Sequence, residues 1–125
     1  MRSLGLAAAA ALALVSSSAC ARSEVEAARG MTGGEPDRGR AGLRKYGCAS
    51  CHTIPGVRGA EGLVGPPLVH IASRTYLAGD LPNTPENLLR WIRHPQDVRR
   101  PNAMPDMGVT AQDARDIAAY LYTLR

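Results

Sequence analysis

Near the middle of the chain, Cys48-Ala49-Ser50-Cys51-His52 sets two thiols three residues apart with an imidazole directly after the second. Few five-residue strings constrain a fold as much, because each chemistry that uses this spacing demands a different framework around it. A dithiol oxidoreductase places C-x-x-C beside a βαβ pattern, which is not legible in this chain, and has no use for His52. A zinc site needs four ligands. The fourth would have to be His70 or His94, and Cys48, Cys51 and His52 crowded into one turn are ill placed for a tetrahedron. A structural disulfide between Cys48 and Cys51 is the least favoured use of the pair.

The remaining chemistry is covalent attachment of haem c, in which each thiol adds to one vinyl group and His52 is aimed at the iron. That chemistry belongs to exported chains, and residues 1–19 read as an export signal: Arg2, an apolar stretch from Leu4 to Val15, and Ser16-Ser17-Ser18-Ala19 before Cys20. The apolar stretch falls well short of the about 20 residues that span a bilayer. Two processing routes fit. A lipoprotein-type cleavage before Cys20 would lipidate that cysteine and bring the chain into membrane contact, whereas Ala19-Cys20-Ala21 permits ordinary cleavage and a soluble product. Either route places the protein on the periplasmic side of a bacterial cytoplasmic membrane, and either accounts for the odd third cysteine. Residues 20–35 are rich in Ala, Glu, Arg and Gly without sustained apolar periodicity, and read as a flexible linker. Residues 36–125 are then the folded domain.

That domain has four Tyr, one Trp and no Phe from which to build a core. Small domains bury a smaller share of their surface than large ones, so something besides side chains is expected to help fill the interior. The Ala-rich composition favours an all-α class over a β-sandwich or a nucleotide-binding α/β domain. Net charge is +4, with fourteen Arg and one Lys against eleven acids. The basic residues are scattered, without a Lys/Arg run or interleaved aromatics, so no nucleic-acid partner is expected and an acidic protein surface fits better.

Three helices can be placed from capping residues and apolar spacing. Pro36 suits the first turn of a helix running to about Tyr46, with Gly39, Leu43 and Tyr46 on one stripe. Thr84 caps a second, with Leu88, Trp91 and Ile92 on one face and Pro95 as its stop. Thr110 caps a third, in which Ile117, Tyr120, Leu121 and Leu124 face inward while Asp113 and Asp116 lie near its positive end.

The order of these features resembles that of the class I cytochromes c over nearly all of residues 36–125: a first helix, Cys48-x-x-Cys51-His52, Gly65-Pro66-Pro67-Leu68, a middle helix, Ala103-Met104-Pro105 and a last helix. The resemblance implies an all-α cytochrome c fold, three to five short helices around one covalent haem c, with Cys48 and Cys51 as attachment points and His52 and Met104 as iron ligands. It further implies that the Pro66 carbonyl accepts the Nδ1 proton of His52, that Leu68 touches the haem, and that Arg74 neutralises a propionate. Tyr76 and Trp91 carry ring donors that reach propionates or simply pack. Met107, the neighbouring thioether, is assigned to packing, and neither His70 nor His94 to the iron. Gly39 is paired with Tyr120 where the first and last helices cross. The function implied is that of a monomeric single-electron carrier, not an enzyme, working between respiratory-chain components such as a terminal oxidase or a quinol-oxidising complex. A fixed electron-inlet subunit of a larger redox enzyme and a haem-based gas sensor are the competing readings.

Overall fold

The computed structural model describes residues 19–125, so all but the last residue of the stretch read as an export signal lies outside it. The segment read as a flexible linker is instead helical over residues 19–32 (α1). Its Ala, Glu and Arg residues are good helix formers, and Arg29 bridges Glu26 and Glu35 at 2.7 and 2.8 Å. Burial in α1 is confined to Ala28 and Thr32, 1% and 5% exposed. These lie four residues apart and dock one turn of the helix on the domain, too little contact to produce an apolar periodicity.

Pro36 opens α2 (Pro36–Lys45) at the first turn, where its fixed φ suits the helix and its missing N–H is no loss. Gly47, at φ +74, ends it by taking the left-handed conformation that other residues avoid. The chain passes directly into a single 3-10 turn, Cys48–Ser50. A proline- and glycine-rich loop follows, then a second 3-10 turn, Ile71–Ser73. A short antiparallel hairpin comes next, β1 (Tyr76–Leu77) against β2 (Leu81–Pro82), with Tyr76 opposite Pro82 and Leu77 opposite Leu81. Among the described residues, extended pairing is otherwise confined to an isolated antiparallel bridge between Thr53 and Glu61.

Thr84 caps α3 (Pro85–Arg93), its side chain accepting from the Asn87 amide. Pro95 ends α3 as expected, but the chain restarts at once, with Pro95 in the first turn of α4 (Pro95–Val98). Thr110 caps α5 (Ala111–Leu121) by accepting from the Asp113 amide. No helix among the described residues is long and apolar enough to cross a membrane.

The core forms where α2 and α5 cross and α3 covers them. Leu43, Leu88 and Ile117 are each 1% exposed, and full burial of such a side chain is worth about 1.5–3 kcal/mol. Gly39 sits where α2 and α5 cross, as expected. Gly39 lies against the backbone of Asp116 and Ile117, whereas the Tyr120 hydroxyl donates to the Pro55 carbonyl at 2.7 Å.

Asp116, expected to act on the helix dipole, is 3% exposed and works differently. Arg38 donates to both of its oxygens at 2.8 and 3.0 Å, the Glu35 amide donates at 2.8 Å and the Gln112 side-chain amide at 3.0 Å. Burial pushes its pKa up, but the Arg38, Glu35 and Gln112 bonds outweigh burial and hold it below the ordinary 3.8. A depressed pKa contributes stability above the unfolded value that is lost as pH falls through the folded one. Asp116→Asn is therefore expected to cost about 2 kcal/mol at pH 7, the scale of bonds to a charged group. Guanidinium unfolding at pH 7 and at about pH 3 checks this. The gap from wild type should shrink at the lower pH, and an undiminished gap would mean that ionisation is not its source.

Candidate functional site

A cavity of about 570 Å³ lies between the helices and the loops, within the usual size of cofactor sites. Leu43 of α2, Leu88, Trp91 and Ile92 of α3, and Ile117 and Leu121 of α5 form its helical walls. The rest comes from the 3-10 turn after α2, the Gly65-Pro66 loop, the hairpin, and the segment between α4 and α5. Each of Cys48, Cys51, His52, Pro66, Leu68, Arg74, Trp91 and Met104 lines this one cavity. Cys20 does not. It is exposed on α1.

Gly47 positions the Cys48 turn, because its left-handed backbone reverses the chain from the end of α2 towards the cavity. The His52 amide then bonds the Cys48 carbonyl at 3.0 Å, and Gly65 N–H bonds the Cys51 carbonyl at 2.8 Å. Nδ1 of His52 lies 2.7 Å from the Pro66 carbonyl oxygen. A carbonyl can only accept, so Nδ1 carries a proton, and in the neutral tautomer this bond selects the lone pair is on Nε2. A Cβ at Gly65 would overlap the His52 ring. Glycine there is thus what lets the loop press flat against the imidazole and fix its plane.

The thiols themselves argue against disulfide exchange. Cys48 and Cys51 are unbonded to each other. Burial pushes the Cys48 thiol up and outweighs a backbone hydrogen bond that lowers it, with a smaller rise from the neighbouring Cys51, the opposite of the low-pKa thiolate a dithiol oxidoreductase needs. Among the described residues, no three His, Cys, Asp or Glu side chains come together to hold a metal ion.

Met104 is held by its backbone. Its N–H donates to the Asn102 side-chain oxygen at 2.8 Å, and its carbonyl accepts from the Gln96 side chain at 2.7 Å. Asn102 is tied in turn to the Pro95 carbonyl at 3.0 Å. The short helix α4 thus carries the methionine loop. Asn102 was findable, since an Asn accepting from the amide two residues on is a common turn former. Gln96 had no local signal. Met107 also lines the cavity but is 43% exposed, and nothing comparable anchors its backbone. His70 and His94 are not among the lining residues.

Arg74 lies on the wall as expected, where its guanidinium donates to the Pro67 and Val69 carbonyls and stiffens the Gly-Pro-Pro turn. Arg99, which no sequence signal marked, lines the cavity too, and it is paired with Asp80. Among the described residues, these two arginines are the only charged ones on the wall. No carboxylate among the described residues lines it. A cavity of this size, apolar apart from two cations, with paired thiols, an oriented imidazole and a thioether, fits a flat apolar ligand bearing two acidic groups and a metal.

The sequence profile of the family described as cytochrome c matches residues 36–125. The chain belongs to the cytochrome c family. Its helical architecture is a cytochrome c fold, its cofactor is covalently attached haem c, and it is an electron-transfer protein. The cytochrome is also 33% identical over 90 residues to a protein named cytochrome c oxidase subunit 2 from Alkalihalophilus pseudofirmus, across 71% of this chain. It spans only about a quarter (25%) of that relative's length. No solved structure matches the chain significantly.

Proposed function

We propose that this cytochrome carries single electrons between components of a bacterial respiratory chain, with Cys48 and Cys51 as the attachment points of its haem and His52 and Met104 as the axial ligands. The observation that carries this reading is that all four residues line one cavity, with the His52 ring oriented by its Nδ1 bond to the Pro66 carbonyl. Haem c supplies one-electron exchange at its iron when bound. The chain's residues supply the rest. Pro66 orients the imidazole and makes it a better donor. Asn102 and Gln96 hold the Met104 backbone in place, and the apolar wall excludes water. If His52 and Met104 both hold the iron, no ligand position would be left for a substrate, which supports a carrier over an enzyme.

The working site in this proposal is the periplasmic face of the cytoplasmic membrane, reached by lipidation at Cys20 or by release after signal cleavage. The partners are a terminal oxidase or a quinol-oxidising complex. A second reading, the fixed electron inlet of an oxidase, draws support from the oxidase-subunit relative and from the docking of α1 on the domain. Gentle extraction separates the two, since a fixed inlet co-purifies with a catalytic partner and a carrier does not.

Met104→Ala is the direct test of ligation. The ferric variant should lose the sulfur-to-iron charge-transfer band, its ferrous form should bind carbon monoxide promptly where wild type does not, and its midpoint should fall by on the order of 100 mV, within the ~0.8 V range that axial ligands command. An unchanged spectrum would remove Met104 from the iron. Prompt binding of carbon monoxide by wild type would favour a gas sensor.

A further inference from the structure

The two cations on the cavity wall are not equivalent. Arg74 is committed to backbone carbonyls at Pro67 and Val69, whereas Arg99 is paired with a single exposed carboxylate, Asp80. Asp80 sits at the tip of the hairpin, 19 residues before Arg99. The hairpin reaches that partner through an uncommon turn. Ala78 has φ +48, which an L-residue seldom adopts, and Gly79 has φ +98. A side-chain-bearing residue held in such a conformation calls for an explanation in function. Here it brings Asp80 to Arg99 at the edge of the cavity, with Ala78 and Gly79 themselves on the wall.

Stability does not supply that explanation, because the two side chains are 81% and 44% exposed and a surface pair of that kind contributes little to folding. Cofactor charge does. Haem c carries two propionates, an anionic carboxylate facing an apolar cavity needs a cationic partner, and the wall offers two arginines and no acid.

We propose that Arg99 is the second propionate-binding residue of the cavity, and that Asp80 is its counter-charge, so that the pair sets the haem midpoint from opposite sides. Arg99 brings positive charge towards the cofactor and favours the reduced state, which has one positive charge fewer. Asp80 cancels part of that charge. This proposal rests on the haem-loaded reading above.

The test is an optical redox titration of the full-length haem-loaded protein and its Arg99→Gln, Asp80→Asn and Arg99→Lys variants at one pH and ionic strength. Arg99→Gln should lower the midpoint and Asp80→Asn should raise it. Each should change the oxidised-to-reduced ratio at the wild-type midpoint about three- to tenfold, tenfold being 59 mV for one electron. Arg99→Lys, which keeps the charge, should stay near wild type. If the pair were only a latch holding the hairpin to the methionine loop, both neutralising variants would loosen the same contact and shift the midpoint the same way. That result, or shifts below about twofold in both, overturns the proposal. The sulfur-to-iron band of the unmodified protein reports separately on Met104, so a failure of the ligand assignment would not be mistaken for a failure at Arg99.

Discussion

A chain carrying both Cys48→Ser and Cys51→Ser is expected to be recovered without covalent haem and without a cooperative unfolding transition. The reason lies in what the helices face. Leu43, Leu88, Ile92, Ile117 and Leu121, from three different helices, turn part of their apolar surface to the cavity instead of to one another. With four Tyr, one Trp and no Phe in the whole chain, no large side chain is at hand to fill the space. A dry void costs about 24 cal/mol per Å³, so about 570 Å³ corresponds to on the order of 10 kcal/mol, comparable with the whole stability of a small domain. Water admitted to the space lessens the void cost but wets the same apolar walls. Intact mass, far-UV circular dichroism and guanidinium unfolding read the outcome together. Each single cysteine variant keeps one attachment point and should fall between the parent and the double variant. A double variant that keeps parental helix content and a sharp transition would show that the side chains alone make the core.

What could be read from the sequence was whatever is encoded within a few residues. Pro36, Thr84 and Thr110 start their helices through bonds and angles that involve only the next turn, and α2, α3 and α5 begin where those residues place them. The C-x-x-C-H turn is local in the same sense, and Gly65-Pro66 lies close enough along the chain to belong with it. What was missed depends on distant partners. The helix at residues 19–32 has no apolar stripe to announce it. It is tied by Arg29 to Glu35 and by Glu24 to Arg125, the latter at 3.7 Å from the far end of the chain. Asp116 looked like one more acid near a helix start, because Arg38 and the Glu35 amide lie about 80 residues away. Arg99 was one arginine among fourteen until the hairpin brought Asp80 to it.

The same dependence on distant partners governs the second large effect, which compares two glycines on one helix. Alanine is the better helix former by about 1 kcal/mol, so propensity alone predicts that both Gly39→Ala and Gly42→Ala stabilise α2. The neighbours decide otherwise for one of them. A Cβ at Gly39 would overlap the carbonyl oxygen of Asp116, and backbone in the middle of α5 can yield only if the two helices move apart. Separation would stretch the Arg38 and Glu35 bonds to Asp116 and open the buried cluster to which Leu43 and Ile117 belong. A Cβ at Gly42 meets the Ile117 Cγ1 at 3.0 Å, a side-chain atom that can give by a few tenths of an ångström. Overpacking typically costs 1–3 kcal/mol and more where backbone must shift. Gly39→Ala is therefore expected to destabilise the haem-loaded protein by at least about 3 kcal/mol, and Gly42→Ala to stay within about 1 kcal/mol of wild type as packing and propensity offset each other. Guanidinium unfolding of both variants at pH 7 measures the difference. Equal effects at the two positions would mean that α2 and α5 are not in backbone contact at Asp116, and would undo the account of how the first and last helices are joined.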